Sequence, residues 1–192
     1  MTKKVKVYGI QRSGNNWLFW MLAANYAIKL LGNKYGHTHS CFNPNSGAEA
    51  NLIISKHPVE WLPSMYRYEN STINKAQYLL TINKWNTLYA SYLSDTMSLS
   101  NVDFIAYDNL LADPEKVLTP IAERYGLERK TDEFRVAKGH MGKQMNETER
   151  SFDPQHYLKK DYLAWYEDAH LEIAQKLVDW DVAAKVGNYK KI

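Results

Sequence analysis

The most constraining feature of this chain is a change of texture near its start. VKVYGI (residues 5–10) passes through the short polar stretch QRSGNN (11–16) into WLFWMLAANYAIKLL (17–31). The first piece predicts a buried strand. The third is apolar nearly all round, which predicts a helix lying in the core rather than on a surface. A strand, a Gly-containing loop and a buried helix in that order gather backbone N–H groups and the positive end of a helix dipole at one spot, a ready site for phosphate or sulfate. Arg12, two residues before Gly14, adds a guanidinium able to grip anionic oxygens bidentately. Ser, Gly and Asn are also the residues of an ordinary turn and N-cap, so the loop by itself leaves both uses open.

The rest of the chain alternates short strands with longer helical stretches, the α/β pattern. Residues 35–40 suggest a short strand, LIISK (52–56) a buried one, and VDFIAY (102–107) another. Helices are expected over 59–68 and 75–93. In ADPEKVLTPIAERYGL, Asp113 is placed as N-cap, Pro114 at the first helical position, Glu115 in the first turn and Gly126 just past the end. Residues 137–153 are polar and loop-like, and 156–185 predict one amphipathic helical stretch. With 192 residues at 45% hydrophobic composition, a single domain spanning 1–192 is expected.

Composition narrows the partners. A formal charge of +3 falls short of the dense basic stripe of a nucleic-acid surface, and an anionic small molecule suits it better. The single cysteine, Cys41, leaves no intrachain disulfide, and the opening residues lack a signal-peptide pattern, so a reducing cytoplasm is expected. The longest unbroken apolar run, 17–24, is well short of the roughly 20 residues that cross a bilayer. The nucleotide-loop string GxxxxGK followed by Ser or Thr is absent: Asn15 and Asn16 stand where its Lys and Ser/Thr would be, against an ATP–magnesium kinase.

YGIQRSGNNWL resembles the 5′-phosphosulfate loop of the sulfotransferase family, whose pattern is close to Tyr-Pro-Lys-Ser-Gly-Thr-Thr-Trp-Leu. Ser13, Gly14, Trp17 and Leu18 match, Arg12 stands for the Lys, and Asn15 and Asn16 stand for Thr-Thr. LIISKHPVEWLPSMY resembles the family's Arg-Asn-Pro-x-Asp-x-x-x-Ser-x-Tyr, with Lys56 in the Arg place, Pro58 matching, Glu60 in the acidic place, then Ser64 and Tyr66. FIAYDNLLADPEKV resembles the family's Tyr-Glu-Asp-Leu segment through Tyr107. AKGHMG resembles its Arg-Lys-Gly-x-x-Gly loop through Lys138, Gly139 and Gly142, with Ala137 replacing the Arg.

The resemblance covers residues 5–142 and implies a three-layer P-loop-like fold with a central, mainly parallel β-sheet flanked by helices. It also implies the donor 3'-phosphoadenosine-5'-phosphosulfate (PAPS), the product adenosine 3',5'-bisphosphate and no metal. The acceptor it implies is a hydroxyl or amine; whether a small molecule, glycan, lipid or peptide carries that group the residues do not identify. Arg12 and the loop Ser13, Gly14, Asn15 and Asn16 would meet the leaving phosphate and sulfuryl oxygens. Trp17 and Tyr107 would border the adenine, Lys56 and Ser64 would hold the 3′-phosphate, and Lys138 and Gly139 would close over it. Thr38-His39 matches the pair whose His takes the acceptor's proton, a task suited to a side chain with a pKa near 6.5. Three readings stay open beside this one. His37, His39 and Cys41 alternate along an extended segment and share a face that could bind metal. The others are a P-loop kinase-like phosphotransferase using ATP–magnesium and a non-catalytic nucleotide-binding relative.

Overall fold

The computed structural model of the chain describes residues 2–32, 37–38, 41–136, 158–159 and 161–192, and is built outward from β4 (Ala50–Ser55). Every residue of its sequence ANLIIS is buried, as befits a parallel strand covered on both faces. β1 (Lys3–Tyr8) lies parallel along one edge of β4, with Val5 opposite Ala50 and Tyr8 opposite Ile53. β5 (Val102–Ala106) lies parallel along the other. The far edge of β1 takes β2 (Ile28–Leu31) beside residues 3–6 and then β3 (His37–Thr38) beside Val7 and Tyr8. The sheet order is β2-β1-β4-β5, with β3 also on β1.

Alternation along the strands sorts the helices into two outer layers. Val5, Val7, Leu52 and Ile54 face α1 (Asn15–Asn25), α5 (Tyr107–Ala112) and α6 (Pro114–Tyr125), packing with Leu18, Leu22, Leu110 and Leu118. Tyr8 and Ile53 face the opposite layer, where α2 (Pro58–Tyr68), α4 (Ile82–Thr96) and α8 (Trp180–Gly187) contribute Trp61, Trp85 and Val186. The chain therefore forms the three-layer α/β fold expected of its alternating pattern. The chain leaves β1 through α1 toward β2 on one side and leaves β4 toward β5 on the other. The carboxyl ends of β1 and β4 thus flank a topological switch point, where open α/β sheets present their ligand crevice.

Three expectations need correction. The helix expected over 17–31 ends at Asn25, and residues 28–31 are a strand. Tyr26 turns extended (φ −125°, ψ 142°), and the turn is fixed by a distant segment. Asn25 donates from Nδ2 to the Arg135 carbonyl at 2.8 Å and accepts the Arg135 N–H at 2.6 Å, while Ala27 N–H bonds the Glu128 carbonyl at 2.8 Å. The helix expected over 75–93 is α3 (Lys75–Tyr78), a tight 3-10 turn at Leu79–Thr81, and α4. The tightening buries Tyr78, Leu79 and Ile82 together. The single stretch expected over 156–185 is a 3-10 helix (Asp161–Trp165), α7 (Asp168–Leu177) and α8. Asp179 restarts the last helix by accepting the Val182 N–H at 3.1 Å, and Asn86 of α4 splints the break, bonding the Leu177 carbonyl and the Asp179 N–H.

The capping of α6 is as expected: Asp113 accepts the Lys116 N–H at 3.0 Å, and Gly126 ends the helix at φ 61°. The expected loop over 137–153 lies outside the described residues. Among the described residues, no helix is long and apolar enough to cross a membrane.

Candidate anion-binding site

The loop between β1 and α1 is wound tightly on itself. The Ile10 carbonyl accepts the Ser13 N–H at 3.1 Å, the Ser13 hydroxyl at 2.6 Å and Asn15 Nδ2 at 2.9 Å. Ser13 and Asn15 therefore turn their side chains inward and shape the loop, while Arg12 and Asn16 stay exposed. Two aromatic side chains anchor it from the opposite layer. The Trp61 indole N–H donates to the Gln11 carbonyl at 2.7 Å, and the Tyr89 hydroxyl donates to the Ile54 carbonyl at 2.7 Å while accepting the Ile10 N–H at 3.4 Å. Burial holds the Tyr89 phenol well above its ordinary pKa, so it stays a neutral bridge between β4 and the loop.

Two residues of the loop have left-handed backbone, Arg12 at φ 66° and Gly14 at φ 99°. For Gly14 the reason is visible: a Cβ there would run into Cδ2 and Cε2 of Tyr107, so the loop and that ring close on each other with no room for a side chain. Arg12 carries the conformation without that excuse, a strain that points to a positional task. Its guanidinium stacks 5.3 Å from the centre of the Tyr68 ring at the end of α2. α1 begins directly after Gly14, so its first N–H groups, which no helical carbonyl can reach, open toward the same spot.

Tyr107 joins this loop to the end of β4. Lys56 Nζ sits 5.0 Å over the same ring and 2.9 Å from Oε1 of Glu60, both side chains almost fully buried. The neighbourhood of Lys56 is rigid: its carbonyl accepts the Trp85 indole N–H at 3.1 Å, the Ser55 carbonyl accepts the Tyr189 hydroxyl at 2.7 Å, and His57 Nε2 meets the Lys190 carbonyl at 3.1 Å. Desolvation lowers the Lys56 pKa against the opposing pull of Glu60. Burial pushes the Glu60 carboxyl up to about 7, with Asp108 adding to the rise and Lys56 opposing it. Ser64 is buried one turn past Glu60 on α2.

The structure thus brings Arg12, Gly14, Lys56 and Tyr107 together at the carboxyl ends of the strands. Trp17 lies within the apolar layer under α1, 2% exposed and edge-on to Trp20 at 6.4 Å. His39, Lys138 and Gly139 lie outside the described residues, as do the side chain of His37 and with it the proposed His37, His39 and Cys41 face; Cys41 itself is exposed. Sequence reasoning missed Asp108 as a site residue. Its signal was a carboxylate directly after Tyr107 at a strand's carboxyl end. Comparison with known proteins gives no match: no family model, no curated protein and no solved structure matches the chain.

Proposed function

We propose that the chain is a PAPS-dependent sulfotransferase acting on a hydroxyl or amine acceptor in a reducing cytoplasm, without nucleic acid as partner. The observation that carries the reading is the meeting of two cations, Arg12 and Lys56, with the start of α1 and the Tyr107 ring at the switch point, in residues spaced as in the resembling family. The donor residues fit their ligand chemically: two cations and a helix N-terminus suit a ligand carrying anionic groups at both ends of a nucleoside.

When bound, the donor supplies the sulfuryl group and a phosphate that leaves. Arg12 and the first amides of α1 hold the oxygens on which charge develops, a role that needs fixed donors rather than a mobile ion. Lys56 and Ser64 hold the 3′-phosphate, and Tyr107 borders the base; Trp17, expected beside it, lies in the core instead and backs the loop. By the resemblance, His39 would accept the proton of the attacking acceptor, and Lys138 and Gly139 would contact the 3′-phosphate.

Thermal melting of the full chain tests this directly. Adenosine 3',5'-bisphosphate without added metal is expected to raise the melting temperature, because a ligand that binds only the native state stabilises it by mass action. ATP–magnesium is expected to do so less. Stronger stabilisation by ATP–magnesium would favour the kinase-like reading, and bisphosphate binding without sulfuryl transfer to any acceptor the non-catalytic one.

A further inference from the structure

Glu60 already holds Lys56, so an incoming anion must share that cation with it. Its Oε1 lies 2.9 Å from Nζ, with the two side chains 6% and 4% exposed. Other charges crowd the pair. Asp108 of α5 reaches the Glu60 carboxyl and acts on Lys56, Arg12 acts on Lys56 from the loop, and Tyr162 of the 3-10 helix at Asp161–Trp165 faces both carboxyls. Among the described residues, with both carboxyls ionised, the two cations and two anions cancel. A phosphate dianion entering this sealed space would leave two uncompensated negative charges, and buried uncompensated charge is strongly unfavourable.

One proton resolves much of that conflict, provided the ligand can share it. A phosphate monoester, with a second pKa near 6, can. A sulfate has no proton to share near neutral pH. We infer that Glu60 makes the Lys56 site select phosphate monoesters over the sulfate dianion, by keeping one proton between its carboxyl and a phosphate oxygen in the complex. This rests on the reading of Lys56 as the 3′-phosphate contact, and it adds the chemistry by which that contact tells a phosphate monoester from the sulfate dianion. The raised pKa of Glu60 supports it, since two acids of similar strength share a proton best.

Calorimetric titration of the wild-type chain at about pH 8, in two buffers of different ionisation enthalpy, counts the protons. Adenosine 3',5'-bisphosphate is expected to take up about one proton more than adenosine 5′-phosphate, which lacks the 3′ group. Glu60→Gln is expected to abolish the extra uptake and to let sulfate ion displace the bisphosphate, whereas in wild type sulfate is expected not to displace it. Should Glu60→Gln not fold, the wild-type proton count decides alone. Bisphosphate binding without extra proton uptake overturns the inference and leaves the donor reading standing. If the bisphosphate does not bind at any pH, the donor reading falls and inorganic phosphate and sulfate become the probes in thermal melting. Stabilisation by phosphate and not by sulfate upholds the role of Glu60, and equal effects, or none, overturn it.

Discussion

Gly14 shows how a single hydrogen atom in place of a methyl group holds the site together. Gly14→Ala would place a Cβ inside the Tyr107 ring and strain a backbone at φ 99°. The expected cost is about 2–4 kcal/mol from overpacking and left-handed strain together. Adding Tyr107→Ala should return part of it, which a double-mutant cycle in urea denaturation measures. Glu60 makes a second prediction at this scale. Its folded pKa of about 7 lies above the ordinary value of 4.5, so its contribution to stability is full below 4.5 and is lost as pH rises through 7. Stability should therefore decline across that window by an amount on the order of 3 kcal/mol, read by urea denaturation at a series of pH values, and Glu60→Gln should flatten that limb. The sequence shows Gly14 within a polar loop between strand and helix. It does not show that Tyr107, 93 residues further on, is what forbids a side chain there, because that contact exists only once β5 lies beside β4.

Among the elements, α2 carries a proline within it, and the structure shows how the gap is filled. Pro63 has no N–H to give the Val59 carbonyl, and the Tyr166 hydroxyl donates to that carbonyl instead at 2.6 Å. Tyr166→Phe should cost roughly 1–3 kcal/mol, because it leaves a part-buried carbonyl without its donor. In a Pro63→Ala background the same change should cost clearly less, since an alanine would restore the helical N–H; chemical denaturation of the four proteins measures the difference. The elements themselves were largely legible: LIISK and VDFIAY gave β4 and β5 within two residues, and the caps of α6 were fixed by Asp113 and Gly126. Two of the misreadings share a cause. α1 stops at Asn25 because the amide meets Arg135, and α8 restarts at Asp179 with help from Asn86; both signals come from chain far away in sequence, which local periodicity does not contain.

For the whole molecule, the site is a product of order in space rather than in sequence. Residues from the β1 loop, the end of β4 and the start of α5 converge because the sheet order brings three strand ends side by side. Residues 186–190 close it from behind: the Val186 carbonyl accepts the Ser55 hydroxyl at 3.0 Å, Tyr189 bonds Ser55, and the Lys190 carbonyl meets His57. Deleting residues 189–192 should lower the melting temperature by several degrees, on the order of 2–4 °C per kcal/mol for a domain of this size. It should weaken bisphosphate binding as well, because Lys56 sits between the two residues that lose their anchors. That arrangement also sets a schedule for biosynthesis. The loop, the sheet and most helices emerge from the ribosome before residues 186–190 exist, so a nascent chain can assemble its layers while the strand end beneath Lys56 still lacks its backing. A chain interrupted ahead of this short segment is left without the contacts that back Ser55 and His57 on either side of Lys56.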